Sequence, residues 1–204
     1  VPFDSNNFDT QGNIVDNPET LLIHQVKERC DYAILISTNA GCWRYLIGDT
    51  IQFVDLEKHE IIITGRTKHF LSLVGEHLSV DNMNRAIKMV CEELDISIGE
   101  FTVTGEPYGN FFAHHWYIAT QDNVSAETLG VLIDNNLKEL NDDYAVERKH
   151  ALQKVIVDVI KEDIFLEFMK LKGKVGGQHK FPRVMKGTVL DEWLAFLKTE
   201  MSSK

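Results

Sequence analysis

The feature that most constrains the fold is the segment at residues 43–50, which reads WRYLIGDT. A mainly apolar run of strand-forming residues leads there into Gly48 and Asp49. Glycine adopts backbone angles that bulkier residues avoid, so the pattern predicts a turn that ends the strand and leaves the Asp49 carboxylate free. A related pattern follows at residues 60–66, EIIITGR, where an apolar strand leads into Gly65 and Arg66. The chain is therefore expected to fold around two neighbouring strands that each end in a glycine and a charged residue.

These two charged residues suggest a site for a nucleotide. A carboxylate such as that of Asp49 accepts hydrogen bonds from two hydroxyls, such as those of a ribose, and the Arg66 guanidinium donates several to oxygen atoms or phosphate. At consecutive strand ends the two side chains could hold one nucleotide. A glycine followed by a charged residue is also common in hairpin turns, so the pattern taken alone favours a structural role.

Four segments, in matching order, resemble the auxin-responsive promoter family. They are residues 36–50 (ISTNAGCWRYLIGDT), residues 64–70 (TGRTKHF), the pair Gly75 and Glu76, and residues 176–183 (GGQHKFPR). The plant members of this family are acyl-acid amido synthetases within the adenylate-forming superfamily. The resemblance covers most of the chain. It implies an α+β fold, in which an antiparallel strand segment completes a large adenylation domain and a small α+β lid domain follows.

The resemblance also implies roles for individual residues. It places Asp49 on the carboxylate that holds the ribose hydroxyls of ATP, and Arg66 on the arginine that reaches the same ribose. Lys68 falls where adenylate-forming enzymes carry the residue about which the C-terminal domain swings. Lys180 lies in the C-terminal signature and matches the lysine that contacts the α-phosphate during adenylation. Lys186 is the alternative, because the glycine-lysine ending of the wider superfamily is not reproduced here.

The implied function is that of an ATP-dependent acyl-acid amido synthetase. A carboxylic acid reacts with ATP, used with Mg²⁺, and the acyl group then passes to an amino acid or another amine. The phosphate-binding loop, much of the acyl pocket and the metal site are expected upstream, so this chain resembles a C-terminal part that is inactive alone. An acyl-CoA ligase is an alternative, but a pantetheine tunnel needs flanking basic residues and no basic cluster is present. A non-catalytic binding module is the third interpretation.

Composition argues against other classes of partner. The net charge is −10 and the basic residues are scattered, whereas a nucleic-acid-binding surface needs a basic face. The sequence contains no run of eighteen apolar residues and no basic-then-apolar signal segment at its amino end. We therefore expect a cytoplasmic protein without a nucleic-acid or membrane partner. Cys30, Cys42 and Cys91 lie singly without metal-ligand spacing, which indicates buried free thiols.

The hydrophobic pattern predicts two domains, at residues 1–65 and 66–204. The first has short apolar runs typical of an antiparallel meander, at residues 20–26, 31–38, 43–47, 51–54 and 60–64. The second alternates helices and strands, which is typical of a small α+β domain. Its helices are predicted from Asp81, from Ser125, at 144–152, at 165–171 and around Trp193, and its strands at 70–74, 101–105, 111–120 and 155–160.

Three polar groups are interpreted as structural. His114 and His115 are adjacent on a predicted strand, so they point to opposite faces and cannot chelate one metal together. Asp134 and residues 142–143 are expected to form a solvated helical face, because their spacing does not suit a calcium loop. Residues 76–77, Glu-His, are expected to form a turn, with a place in the site as the less favoured alternative.

Overall fold

The computed structural model describes residues 1–9, 12–67, 70–174 and 180–202. Lys68 and the stretch 176–179 of the C-terminal signature lie outside these described residues. Within them, the chain forms an α+β fold in which an amino-terminal antiparallel sheet precedes a mixed sheet covered by helices on both faces. This is the α+β class that the sequence predicts.

The amino-terminal sheet is a meander of three described strands in the order β1-β2-β3. They are β1 (Tyr32–Ile36), β2 (Tyr45–Asp55) and β3 (Glu60–Arg66), and both pairs are antiparallel. The strand predicted at 20–26 is wrong, because a 3₁₀ helix (Ile23–Gln25) occupies it. The Gln25 amide donates to the Leu22 carbonyl at 2.8 Å, and the Gln25 side-chain oxygen accepts from the Leu22 amide at 2.8 Å. These local bonds close a turn that the apolar composition does not reveal.

Strand β2 runs through Gly48 and Asp49 without ending there. The two predicted strands at 43–47 and 51–54 are therefore one element, and the predicted Gly-Asp turn is wrong. Gly48 does have a positive φ of 87°, as the glycine argument required. The distortion is taken up within the sheet, since the β2–β3 register shifts between Thr50 and Ile51 and the Thr67 amide still donates to the Gly48 carbonyl at 2.8 Å.

A short hairpin connects the two sheets. It consists of β4 (Phe70–Leu71) and β5 (Leu78–Ser79), so the strand predicted at 70–74 is shorter than expected. Helix α1 (Val80–Leu94) follows at once, and the Ser79 side chain accepts from the Asn82 amide as its N-cap. The helix buries Met83, Ile87 and Val90, which share one face. The helix predicted from Asp81 is confirmed.

The second sheet is mixed. Strands β6 (Ile98–Tyr108) and β7 (Phe111–Thr120) form an antiparallel hairpin, and β8 (Leu152–Ile160) joins β7 in parallel. Helices α2 (Ala126–Leu140) and α3 (Asp142–Glu147) make the crossover between β7 and β8. Helices α4 (Glu162–Leu171) and α5 (Gly187–Ser202) follow β8. Between these last two helices, Val184 pairs with Val103, which extends the sheet beside β6.

The two faces of this sheet carry separate hydrophobic cores. Trp116 faces the core beneath α1 and α2, and its neighbour Tyr117 faces the core beneath α4 and α5. The first core also contains Met83, Val90, Ile133, Leu137 and Tyr144, and the second contains Phe165, Phe168, Phe181 and Trp193. Alternation along β7 thus orients successive side chains into different cores.

Two further observations bear on the composition argument. Cys30 and Cys42 are exposed and Cys91 is partly buried, so the expectation of buried thiols is wrong for the first two. Cys30 lies just before β1, and Cys42 lies in the connection between β1 and β2. In the described part of the chain, no helix has both the length and the apolar character needed to cross a membrane.

Candidate functional site

Asp49 and Arg66 lie directly opposite each other on β2 and β3. Their register pairing brings the Arg66 Nε to 3.1 Å from the Asp49 Oδ1. The structure therefore brings together the two side chains that the sequence predicted as a pair. The sequence predicted a free Asp49 carboxylate, but in the structure this carboxylate forms an ion pair with Arg66. Because the Arg66 side chain is 66% exposed and that of Asp49 23%, the pair contributes little to stability and remains open to a ligand.

A buried polar network lies in the same sheet as this pair. The Thr64 hydroxyl donates to the Asp31 carboxylate at 2.7 Å and lies 3.1 Å from the Thr50 hydroxyl oxygen. The Gln52 amide adds a 3.3 Å bond to the same Asp31 oxygen. Burial raises the pKa of Asp31, and the hydrogen bonds from Thr64 and Gln52 oppose this only in part. The network links the residue before β1 to β2 and β3, and nothing in the sequence pattern indicated it.

An exposed apolar stripe leads along β2 toward Asp49. Tyr45 and Ile47 are alternate residues of β2, and Trp43, which lies just before the strand, is 81% exposed. Contiguous exposed apolar surface of this kind marks contact surfaces.

The lysines of the predicted site lie in different environments. Lys68 falls outside the described residues. Lys180 is exposed and directly precedes Phe181, which is buried among Phe165 and Trp193 in the core under α4 and α5. Lys186 is partly buried. Burial lowers its pKa, and the negative charges of Glu76 and Asp9 counteract that effect.

Glu76 is fully buried at the tip of the β4–β5 hairpin. Its carboxylate accepts hydrogen bonds from the Leu73 and Val74 amides at 2.9 to 3.0 Å and contacts His114 Nε2 at 2.9 Å. Burial raises the pKa of Glu76, but the hydrogen bond and charge of His114 and the backbone amides outweigh it and hold the pKa below its usual range. The predicted turn is present. The link to His114, 38 positions away, was not predicted.

The adjacent histidines point to opposite faces of β7, as predicted. His114 is buried with Glu76, whereas His115 places its Nδ1 3.0 Å from Glu106 and its Nε2 3.0 Å from Asp158. Among the described residues, no group of three histidine, cysteine or carboxylate side chains could hold a metal ion.

The expectation of a solvated acidic face is wrong for Asp134. Its carboxylate accepts bonds from the Tyr144 hydroxyl at 2.8 Å, from Arg148 at 2.6 and 2.8 Å, and from Lys138 at 2.8 Å. Burial raises the pKa of Asp134, but these donors outweigh it and lower the pKa. The sequence pattern did not reveal this burial because the contact with Arg148 is a tertiary one, made by a residue that directly follows α3.

A cavity of about 910 Å³ lies beside α4, where Lys161, Phe165 and Phe181 contribute to its wall. Its lining among the described residues includes neither Asp49 nor Arg66.

Comparison with solved structures identifies the fold. The chain is similar to a GH3.15 acyl acid amido synthetase with a TM-score of 0.63 and 21% identity, over 88% of this chain and 35% of that chain. It is similar to AtGH3.15 acyl acid amido synthetase in complex with 2,4-DB with a TM-score of 0.60 and 21% identity, over 88% of this chain and 34% of that one. The chain thus spans about a third of the length of these structures. It has the α+β fold of part of an acyl acid amido synthetase.

Family models identify the sequence. Residues 1–64 match the GH3 family central domain, and residues 81–188 match the GH3 family C-terminal domain. The chain belongs to the GH3 family, the auxin-responsive family that its motifs resemble. A comparison with curated proteins found no match. The division at residue 65, and the roles of Asp49, Arg66, Lys68 and Lys180, stay predictions.

Proposed function

We propose that this chain is part of a longer ATP-dependent acyl-acid amido synthetase, to which it contributes the ribose-binding pair and the lid. Membership of the GH3 family supports the reaction class. The observation that carries the proposal is the exposed pair of Asp49 and Arg66, which are 3.1 Å apart on neighbouring strands. An acceptor and a multiple donor at this separation suit two adjacent hydroxyls and a nearby oxygen of one nucleotide.

In the first half-reaction a carboxylate oxygen of the acid attacks the α-phosphorus of ATP. The bond between the α-phosphorus and its bridging oxygen breaks, and pyrophosphate leaves with that oxygen. Asp49 and Arg66 hold the ribose, and this fixes the α-phosphorus relative to the acid. In the second half-reaction an amine attacks the acyl carbon, AMP leaves, and the nitrogen loses a proton. The ribose pair holds the AMP moiety through both steps.

Lys180 is the proposed catalytic lysine of the first half-reaction. An ammonium group near the α-phosphate stabilises the charge that develops as pyrophosphate leaves. The exposure of Lys180 supports this role, because a side chain that must reach a ligand on another unit needs to be accessible. A swing of the C-terminal unit about Lys68 would withdraw Lys180 before the amine attacks, which separates the two steps.

We expect ATP to be used with Mg²⁺, as the resemblance implies. The residues that would hold the metal are expected upstream of this chain.

The test uses the full-length protein with a panel of carboxylic acids and ATP. We expect pyrophosphate release that depends on the acid, followed by amide formation when amino acids are added. Thioester formation with coenzyme A instead would identify an acyl-CoA ligase, and no acyl-adenylate with any acid would contradict the proposal. The chain alone should bind ATP weakly, and micromolar binding by calorimetry would show that the nucleotide site is mislocated.

A further inference from the structure

The chain just before α5 is joined to β6 by hydrogen bonds. The Val103 amide donates to the Arg183 carbonyl at 2.9 Å, and the Met185 amide donates to the Val103 carbonyl at 3.0 Å. The neighbouring Thr102 hydroxyl donates to the Pro182 carbonyl at 2.8 Å. Both Thr102 and Val103 are buried, so these bonds are shielded from water. They fix the backbone of this segment against the edge of the second sheet.

The Arg183 side chain reinforces this attachment. Its guanidinium carbon lies 4.2 Å from the centre of the Phe101 ring, and its Nη1 donates to the Phe101 carbonyl at 2.9 Å. The same nitrogen forms an ion pair with Glu100, whose carboxylate also accepts from the Phe101 amide at 3.1 Å. The Phe101 ring in turn stacks on the fully buried Trp116, with 5.7 Å between the ring centres. A planar guanidinium can stack on a ring and donate hydrogen bonds at its edge, and this combination suits arginine rather than lysine.

A second attachment lies on the opposite face of the sheet. Phe181 is buried in the core under α4 and α5, where its ring centre is 5.4 Å from that of Trp193. Phe101, by contrast, belongs to the core under α1 and α2. Between the two attachments, Pro182 has a φ angle that is restricted by its ring. Lys180 is exposed and directly precedes the attachment at Phe181.

We propose that Arg183 is a positioning residue for the adenylation step, and that it fixes the backbone from which Lys180 reaches the α-phosphate. Phe181 and Pro182 are the residues between them, so a shift at Arg183 moves the origin of the lysine side chain. A backbone that is already held leaves less to be ordered when the ligand binds. Because the Arg183 Nη1 is engaged with β6, Arg183 acts through Lys180 and not on the nucleotide. This role rests on the proposed function, in which Lys180 is the catalytic lysine.

The attachment itself is tested on this chain by hydrogen exchange measured with NMR. Arg183→Met removes the guanidinium group and keeps an apolar side chain near the Phe101 ring. We expect the Val103 amide to exchange about tenfold faster, because its acceptor, the Arg183 carbonyl, is no longer secured. Exchange within α1 should stay unchanged, since the rest of the chain remains folded. Arg85→Met is the control, because Arg85 is 53% exposed and lies 3.8 Å from Asp81, and it should leave the Val103 amide unaffected. Unchanged exchange at Val103 in Arg183→Met would overturn the attachment.

The positioning role is tested on the full-length protein by single-turnover kinetics of each half-reaction. Arg183→Met should slow acyl-adenylate formation about tenfold to a hundredfold, because a small misplacement of a group that acts on the reacting atoms is costly. Amide formation from supplied acyl-adenylate should stay within about twofold of the wild type, since Lys180 takes no part in that step. Arg85→Met should change neither rate. Equal slowing of both half-reactions by Arg183→Met, or no slowing of adenylation, would refute the positioning role.

A double-mutant cycle separates positioning from a general structural effect. If Arg183 acts through Lys180, then Arg183→Met should slow adenylation by less than about twofold in a protein that already carries Lys180→Ala. The same large factor in both backgrounds would show that Arg183 acts independently of the lysine, and the proposal would fail.

Thr102→Val keeps the test open if Arg183→Met does not fold. This change preserves the shape of the side chain and removes the hydrogen bond to the Pro182 carbonyl. It should slow adenylation about threefold to tenfold and leave amide formation intact, and unchanged adenylation would count against the positioning role. If the wild-type protein forms no acyl-adenylate, the proposed function fails and the positioning role fails with it. The exchange results still decide whether Arg183 secures the segment.

Discussion

Replacement of Asp134 by asparagine should cost the chain a large part of its stability. The substitution preserves shape but removes the charge that Arg148, Lys138 and Tyr144 surround. Loss of one member of a buried ion pair costs about 3–5 kcal/mol, because the remaining charge stays buried without compensation. The side chains of Asp134 and Arg148 are 13% and 14% exposed, so some water can reach them and the lower end applies. We therefore expect a loss of about 3 kcal/mol at pH 7.

The free energy of unfolding is measured by urea denaturation of the chain, and the melting temperature by thermal unfolding. For a chain of this size, about 3 kcal/mol corresponds to a fall in melting temperature of roughly 6–12 °C. Glu92→Gln is the control, because its pair with Lys88 is 3.6 Å long and both side chains are more than half exposed. That variant should lose less than about 0.5 kcal/mol. A similar loss in both variants would refute the interpretation of Asp134 as a buried charge centre.

The stabilisation that Asp134 contributes should depend on pH in a defined direction. The donors around Asp134 lower its pKa in the folded state. Its stabilisation is therefore fully present above the unfolded value of about 3.9 and is lost as the pH falls through the folded pKa. The difference between wild type and Asp134→Asn should shrink below about pH 4. A difference that stays constant down to pH 2 would contradict the charge-based explanation.

Three other substitutions test the site and the packing. In the full-length protein, Asp49→Ala should weaken ATP binding and AMP retention about tenfold to a hundredfold, because a charged acceptor is worth about 1.5–3 kcal/mol, and unchanged affinity by calorimetry would contradict the ribose role. Lys180→Ala should slow acyl-adenylate formation in rapid-quench assays while amide formation from supplied acyl-adenylate stays nearly intact; equal damage to both steps would argue against a domain swing. Gly105→Ala should destabilise the chain by about 1–3 kcal/mol in denaturation, because the new Cβ overlaps Leu73, and a neutral effect would show that the hairpin tip is not tightly seated.

The sequence predicted well those features that depend on neighbouring residues. Helix α1 follows from apolar residues three or four positions apart, which is a local signal. The pairing of Asp49 with Arg66 was predicted only as a proximity of strand ends. Its actual form depends on the β2–β3 register and on the shift after Thr50, which no local pattern contains.

The features that were missed depend on contacts between distant segments. Asp134 has the helical spacing of a solvated face, and only the return of Arg148 from the segment after α3 makes it a buried charge centre. Glu76 and His114 are likewise far apart in the chain, and the hairpin that carries Glu76 places Leu73 where a Cβ at Gly105 would clash with it. Residue types and periodicity do not contain such information, because burial of a charge is decided by which element packs over it.

The difference in burial between two charged pairs supports the proposed ligand-binding role of Asp49 and Arg66. An ion pair as exposed as that of Asp49 and Arg66 contributes little to folding stability. The two side chains can therefore give up their contact with each other and bind ribose hydroxyls at small cost in free energy. The Glu76 carboxylate is fully buried and bound by backbone amides and His114, so its release would leave an uncompensated charge. The first pair is therefore suited to binding a ligand that comes and goes during turnover. The second is suited to a permanent structural contact, which fixes the β4–β5 hairpin to β7.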